Sequence, residues 1–249
     1  MKTLEVLGNP TEQKYTVLAA TSEHLHLAEA ICHEMEESAK ARGTGIAKRS
    51  PEYLRVKINE GKAIIATDNN GDFVGFCYIE TWEHGNFVAN SGLIVKPEWR
   101  QYGVAKKVKE FAFQLSRTKY PDAKIIGITT SLAVMKINSE LGYEPTTFSR
   151  LPVDDAFWNG CKSCVNYDVL SRTDRKLCLC TGMIFDPEWE KKAKDRTEEE
   201  PEPTQEVSKQ EVHSSWNFLK DVKVLERLKA IKEKLFLRLK SRKSERELA

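Results

Sequence analysis

Hydrophobic positions along this chain change their period several times, and each change marks an element. Leu93, Ile94 and Val95 form an unbroken apolar run, and Pro97 ends any ladder that the run could join, so a short buried strand is predicted there. From Val104 to Arg117 the apolar positions Val104, Val108, Phe111, Ala112 and Leu115 recur at steps of three and four. Lys106, Lys107, Lys109 and Glu110 fall between them, which is the pattern of an amphipathic helix. Upstream, Lys62 to Thr67 and Asp72 to Glu80 read as two strands, and Asn69-Asn70-Gly71 supplies a hairpin turn between them. Downstream comes the β-rich run Lys124 to Thr130, followed by the segment from Ser131 to Leu141-Gly142-Tyr143.

The strand, turn and helix between Leu93 and Lys107 carry the first chemical signal. Gly103 lets the backbone approach a ligand where a Cβ would obstruct. The unpaired N–H groups of the following helical turn, with the positive end of the helix dipole, favour an anion such as phosphate. No Gly-x-x-x-x-Gly-Lys-Ser/Thr and no Gly-x-Gly-x-x-Gly occurs, so the nucleotide-hydrolase and dinucleotide readings lose their main support.

What remains is Arg100-x-x-Gly103-x-Ala105, preceded by Leu93-x-Val95-x-Pro97. This resembles the Arg/Gln-x-x-Gly-x-Gly/Ala signature, with its Leu-x-Val-x-Pro strand, of the GCN5-related N-acetyltransferase (GNAT) superfamily. The resemblance covers roughly residues 14 to 186, with the elements in the family's order. It implies an α/β fold, a central mixed, twisted sheet flanked by helices. It also implies that acetyl-coenzyme A, or another short acyl-CoA, is a cosubstrate. Leu93, Ile94, Val95, Arg100, Gln101, Tyr102, Gly103, Val104 and Ala105 would form its binding strand and loop, and Asn138 would contact it as an amide does in some relatives.

In the resembled family an amine attacks the thioester directly, with no covalent acyl-enzyme. A backbone N–H near Ile94 would then hold the oxyanion. Glu80, at the end of its strand, is the first choice of base, although a solvated carboxylate and a water chain are alternatives. The family's usual general acid is a Tyr at the position held here by Asn138. That departure leaves thiolate protonation open, with Tyr143 the nearest phenol in sequence.

The variable segment between the first two helices, residues 41 to 53, is expected to face the acceptor. Lys48 and Arg49 on it would suit a carboxylate-bearing acceptor, or would be solvated cations on an exposed loop. If a carboxylate is bound, the α-amino group of an amino acid such as glutamate becomes the acceptor, as in the short N-acetylglutamate synthases that the arrangement resembles. Another small amine, a protein N-terminus, or acyl-CoA sensing without catalysis are the competing readings.

Six cysteines divide into two kinds. Cys32 and Cys77 sit in apolar periodic segments as small core residues. Cys161-x-x-Cys164 and Cys178-x-Cys180 form two close pairs, and four thiolates at that spacing could bind a structural zinc, with residues 178 and 180 on one face of a strand. The alternative is that the second pair lines the core while the first is incidental or redox-active. The segment from Phe157 to Met183 is expected to shape the acceptor side of the cleft.

Composition refines the ends of the chain. A length of 249 residues with 40% hydrophobic residues allows one or two domains, and a net charge of +2 gives no argument for a nucleic-acid partner. No apolar run approaches a membrane span and the first residues lack a signal-peptide core, so the cytoplasm is the expected location. Residues 1 to 13 read as an extension, 14 to 186 as the acyltransferase domain, and 187 to 213 as an acidic, Pro-containing linker. Residues 214 to 249 read as a basic amphipathic helix, with Leu219, Val222, Leu225, Leu228, Ile231, Leu235 and Leu239 on one stripe. Such a helix can fold back on its own domain, form a homo-oligomer, enter a partner's groove, or lie on a membrane surface.

Overall fold

The computed structural model describes residues 4–5, 15–43 and 48–191. All belong to one compact unit, residues 1–195; the predicted basic helix falls in a second unit, 196–249, and lies outside the described residues. In chain order the elements are β1 (Leu4–Glu5), β2 (Tyr15–Ala19), α1 (Ala28–Arg42), α2 (Pro51–Asn59), β3 (Ala63–Asp68), β4 (Phe73–Trp82) and β5 (Phe87–Val95). They continue with α3 (Val104–Lys119), β6 (Lys124–Thr129), α4 (Leu132–Glu140), β7 (Glu144–Thr146), α5 (Asp155–Asn159), α6 (Tyr167–Arg172) and β8 (Thr181–Phe185).

The strands form one mixed sheet in the order β1-β2-β3-β4-β5-β6-β8-β7. Pairing is antiparallel throughout except between β5 and β6, which run parallel. The β3–β4 hairpin turns at the predicted Asn69-Asn70-Gly71, where the Asp68 carboxylate accepts from the N–H groups of Asn70 and Asp72 and Gly71 is left-handed at φ 84°.

Alternating side chains of the sheet fill two cores. Ile64 and Ala66 pack with Val104, Val108, Phe111 and Ala112 of α3 on one face. Ala63 and Ile65 pack with Ile31 and Met35 of α1 and Leu54 and Ile58 of α2 on the other. A third cluster, with Phe148, Trp158 and Leu170 against Ile126 and Ile184, builds the wall beyond β6. The domain also continues past residue 186. Trp189 packs on that third cluster and Arg117 pairs with Glu190 at 2.8 Å, so the start of the predicted linker is folded. Among the described residues no helix is long and apolar enough to cross a membrane.

Candidate active site

The site follows from how β5 leaves its neighbours. β5 pairs with β6 only through Phe87↔Lys124, Val88↔Ile125 and Ala89↔Ile126. From Asn90 onward that edge of β5 has no strand against it, while β6 continues along β8 to Thr129. The two parallel strands therefore splay apart into a slot. On its other edge β5 carries a bulge, because the register passes from Phe76↔Ile94 to Tyr78↔Ser91, with one extra residue on β5. Gly92 sits in that bulge at φ 66°, and a Cβ there would lie 2.6 Å from Tyr78 Cε1.

Past β5 the chain makes one 3-10 turn at Pro97–Trp99 and enters the loop expected to hold the diphosphate. Gln101 and Gly103 are both left-handed, at φ 75° and 78°. Gly103 is the N-cap of α3, no side chain caps that terminus, and no acid lies in its first turn. Its amides therefore remain available to an anion. The Arg100 side chain turns back to brace the loop, Nε donating to Val95 O at 3.1 Å and a terminal nitrogen to Ser38 Oγ at 2.8 Å. Tyr102 is held by its carbonyl, which accepts from the Tyr15 hydroxyl at 3.2 Å.

The slot opens into a cavity of about 220 Å³ that Leu93, Asn90, Gly127, Lys109 and Asn138 line on one side. Asn138 is 1% exposed; its Nδ2 reaches only Met183 Sδ, and its Oδ1 has no partner among the described residues. Tyr143 is buried at the same end and donates to Asn90 Oδ1 at 3.0 Å. Burial holds its phenol well above the usual tyrosine range.

Glu80, Arg42, Arg49 and Trp82 line the opposite part of the cavity with Phe157, Trp158, Tyr167 and Leu170. Glu80 Oε1 accepts from the Tyr53 hydroxyl and from Lys57 Nζ at 2.9 Å. Arg49 donates through Nε to the Tyr78 hydroxyl and lies over the Tyr53 ring. Lys48 does not line the cavity: its side chain is exposed and stands 3.8 Å from Glu36, while its backbone N–H donates to Ser163 Oγ. Two buried donors on lining residues, Trp82 Nε1 and Asn166 Nδ2, have no partner among the described residues. Sequence reasoning passed over both, since neither belongs to a motif.

Cys161, Cys164, Cys178 and Cys180 all line this cavity as free thiols. The strand expected to carry the second pair begins one residue later, at Thr181. Zinc receives no support: among the described residues no group of three or more His, Cys, Asp or Glu side chains is arranged to hold a metal ion. Burial, reinforced by the neighbouring thiols, pushes Cys161 up to about 11 and Cys180 up to about 12.

No protein-family model matches the chain, and no curated protein matches it in sequence. In structure it is similar to N-acetylglutamate synthase from Neisseria gonorrhoeae, complexed with coenzyme A and N-acetyl-glutamate. That match has 15% identity and a TM-score of 0.50, over 71% of this chain and 36% of the synthase, so this chain matches about a third of that protein. It is also similar to Rv2747 from Mycobacterium tuberculosis in complex with CoA, at 14% identity and a TM-score of 0.49, over 68% of this chain and 98% of that one. A GNAT superfamily phosphinothricin acetyltransferase from Sinorhizobium meliloti, in complex with AcCoA, matches at 14% identity and a TM-score of 0.48, over 69% and 88% of the two chains. The mixed sheet, its splayed parallel pair and the match to the Neisseria synthase agree with the expectation from sequence: the domain has the GNAT fold.

Proposed function

We propose that this domain transfers an acetyl or other short acyl group from acyl-coenzyme A to the amine of a small, carboxylate-bearing molecule such as an amino acid. One observation carries the reading: the slot between β5 and β6 lies between an uncapped helix N-terminus and a cavity furnished with donors. The diphosphate would rest on the first-turn amides of α3. The pantetheine arm would enter the slot, where Asn138 Oδ1 offers an acceptor to one of its amide N–H groups.

The thioester would then stand near the bulge of β5, with a backbone N–H near Ile94 facing the oxyanion. On the acceptor side, Arg49, Trp82 Nε1 and Asn166 Nδ2 supply donors for a carboxylate. Glu80 Oε1 is taken by Tyr53 and Lys57, which leaves Oε2 to draw the proton from the acceptor ammonium, directly or through water. The aromatic wall of Phe157, Trp158 and Tyr167 favours an acceptor with an apolar body, which makes aromatic and branched amino acids as important to test as glutamate. Such a reaction fits the cytoplasm, where acyl-CoA is available.

The test is release of free thiol from acetyl-CoA in the presence of each amino acid in turn. Turnover with one acceptor is the expected result. Coenzyme binding without turnover on any amine would favour a sensing module instead, and turnover only on peptide N-termini would move the acceptor to proteins.

A further inference from the structure

Lys109 is a buried amine with no counter-charge among the described residues. It lies on α3, faces the sheet, and is 2% exposed. Its only hydrogen-bond partner among the described residues is Asn90 Oδ1 at 3.1 Å. Around it stand the Asn90 amide and the Cys77 thiol from the sheet, and the Tyr143 ring, whose centroid is 5.2 Å from Nζ. Among the described residues no carboxylate pairs with it. A buried ammonium in such a setting is costly and needs another acceptor.

The surrounding network cannot supply that acceptor. Asn90 Oδ1 also receives the Tyr143 hydroxyl, so both of its lone pairs are used. Asn90 Nδ2 donates to Ser116 Oγ, which donates in turn to Ala112 O. The chain of bonds runs away from Lys109 and ends on the Ala112 carbonyl, so among the described residues an ammonium with three N–H groups has only one of them satisfied by an oxygen. Lys109 lines the cavity, so the missing acceptor has to come from there.

Position selects which ligand atom it meets. Asn90 is the residue at which β5 parts from β6, so Lys109 stands at the closed end of the slot, with Gly103 at the other end of the β5-to-α3 connection. A long thioester entering from the Gly103 side brings its reacting end towards Asn90. The carbonyl oxygen has the backbone of β5, and the sulfur is the other atom that gains negative charge.

Resting on the acyltransfer reading above, we propose that Lys109 is the group that protonates the sulfur leaving acyl-coenzyme A. The acceptor nitrogen bonds to the acyl carbon, the carbon–sulfur bond breaks, and its electron pair stays on sulfur. Sulfur takes a proton from Nζ, which is left as a neutral amine. The proton shed by the acceptor nitrogen leaves by Glu80 or water, and Lys109 regains its own from water. Burial brings the Lys109 ammonium down to about 8, with the Cys77 thiol opposing that shift, so its acidity lies close to that of an ordinary thiol. Such matching makes a proton donor effective near neutral pH.

The experiment compares wild-type protein with Lys109→Met and Lys109→Arg, using acetyl-CoA and the acceptor found in the panel. Lys109→Met is expected to lower kcat by about 100-fold or more while leaving coenzyme A affinity, measured by calorimetry, within about threefold. Wild-type kcat is expected to fall along a basic limb near pH 8, and Lys109→Arg to move that limb upward, because a guanidinium keeps its proton. Turnover by Lys109→Met within about threefold of wild type overturns the proposal and leaves the acyltransferase reading intact. A stable acetyl group on Lys109 in intact-mass spectra also overturns it, since the residue would then be a nucleophile. If Lys109→Met does not fold, the wild-type profile decides, and a kcat that stays flat from about pH 7 to 10 sinks the idea. Absence of wild-type turnover with every amine removes the reading beneath it, and the proposal with it.

Discussion

Arg49 Nε donates to the Tyr78 hydroxyl at 2.7 Å, and Tyr78 is fully buried. A cation on the segment between α1 and α2 is thereby fixed to the centre of the sheet, beside Glu80. Tyr78→Phe removes the acceptor and leaves Arg49 Nε unpaired, which is expected to cost about 1–3 kcal/mol of stability. It should also raise KM for a carboxylate-bearing acceptor more than KM for acetyl-CoA. Urea denaturation and steady-state kinetics on both substrates check the two parts separately.

Gly92→Ala should be among the most damaging small substitutions in the domain. It forces a side chain into a left-handed backbone at φ 66° and brings its Cβ to 2.6 Å from the Tyr78 ring and 3.0 Å from Met35 Cε. The combined cost is about 2–4 kcal/mol. The denaturation midpoint should fall accordingly, whereas Gly43→Ala, left-handed but with no atom of the described residues within 4 Å, should lose only the backbone share.

Asn138→Leu separates stability from coenzyme binding. Its Oδ1 is buried with no partner among the described residues, so an apolar side chain of similar size should raise the stability of the free protein by about 1 kcal/mol. The thermal stabilisation conferred by coenzyme A should shrink at the same time. An unchanged ligand-induced shift in Tm would place Asn138 outside the coenzyme site.

Lys109 also sets a pH dependence of stability. Its folded pKa, about 8, lies below the ordinary lysine value of 10.5, so between these values the unfolded chain binds more protons and stability from this group rises with pH. The burden, about 3 kcal/mol, is fully present below pH 8 and gone above 10.5. Thiols work in the opposite direction: burial raises Cys77 and Cys161 to about 11, so the unfolded chain deprotonates first and stability falls above the ordinary value of 9. The two effects are separated by comparison. Lys109→Met should be more stable than wild type near pH 7, and that gap should narrow steadily from pH 8 towards 10.5.

How much of this was legible in the sequence differs between the two halves of the site. The elements around the loop proposed for the coenzyme could be read, because local rules fix them: periodic apolar residues put α3 at Val104, and Gly103 marks its start. Even there the reading was partial. Only Leu93–Val95 was expected of a strand that runs from Phe87, since Asn90, Ser91 and Gly92 interrupt the apolar run. That interruption is the bulge and the splay, so the signal that hid the strand belongs to the site.

The acceptor side was less legible because it is assembled from distant segments. Lys109, at the coenzyme end of the slot, was hidden too: it falls between the apolar positions of a helix, and only its packing against Asn90 and Tyr143 shows it buried. Trp82 and Asn166 carry no spacing signal at all, and they meet the cavity from residues 84 positions apart in sequence. The four cysteines had a spacing signal that pointed to a metal, which the arrangement of the described residues does not support.

Only three residue pairs join β5 to β6, so the sheet is in effect two panels sharing a short seam. Layers above and below hold the panels at their angle, and a thioester with amides of its own would sit between them much as an absent strand would. Loading the donor would then knit the panels together before any bond is made or broken. Rigidity of the loaded domain and readiness for chemistry would therefore arrive in the same event.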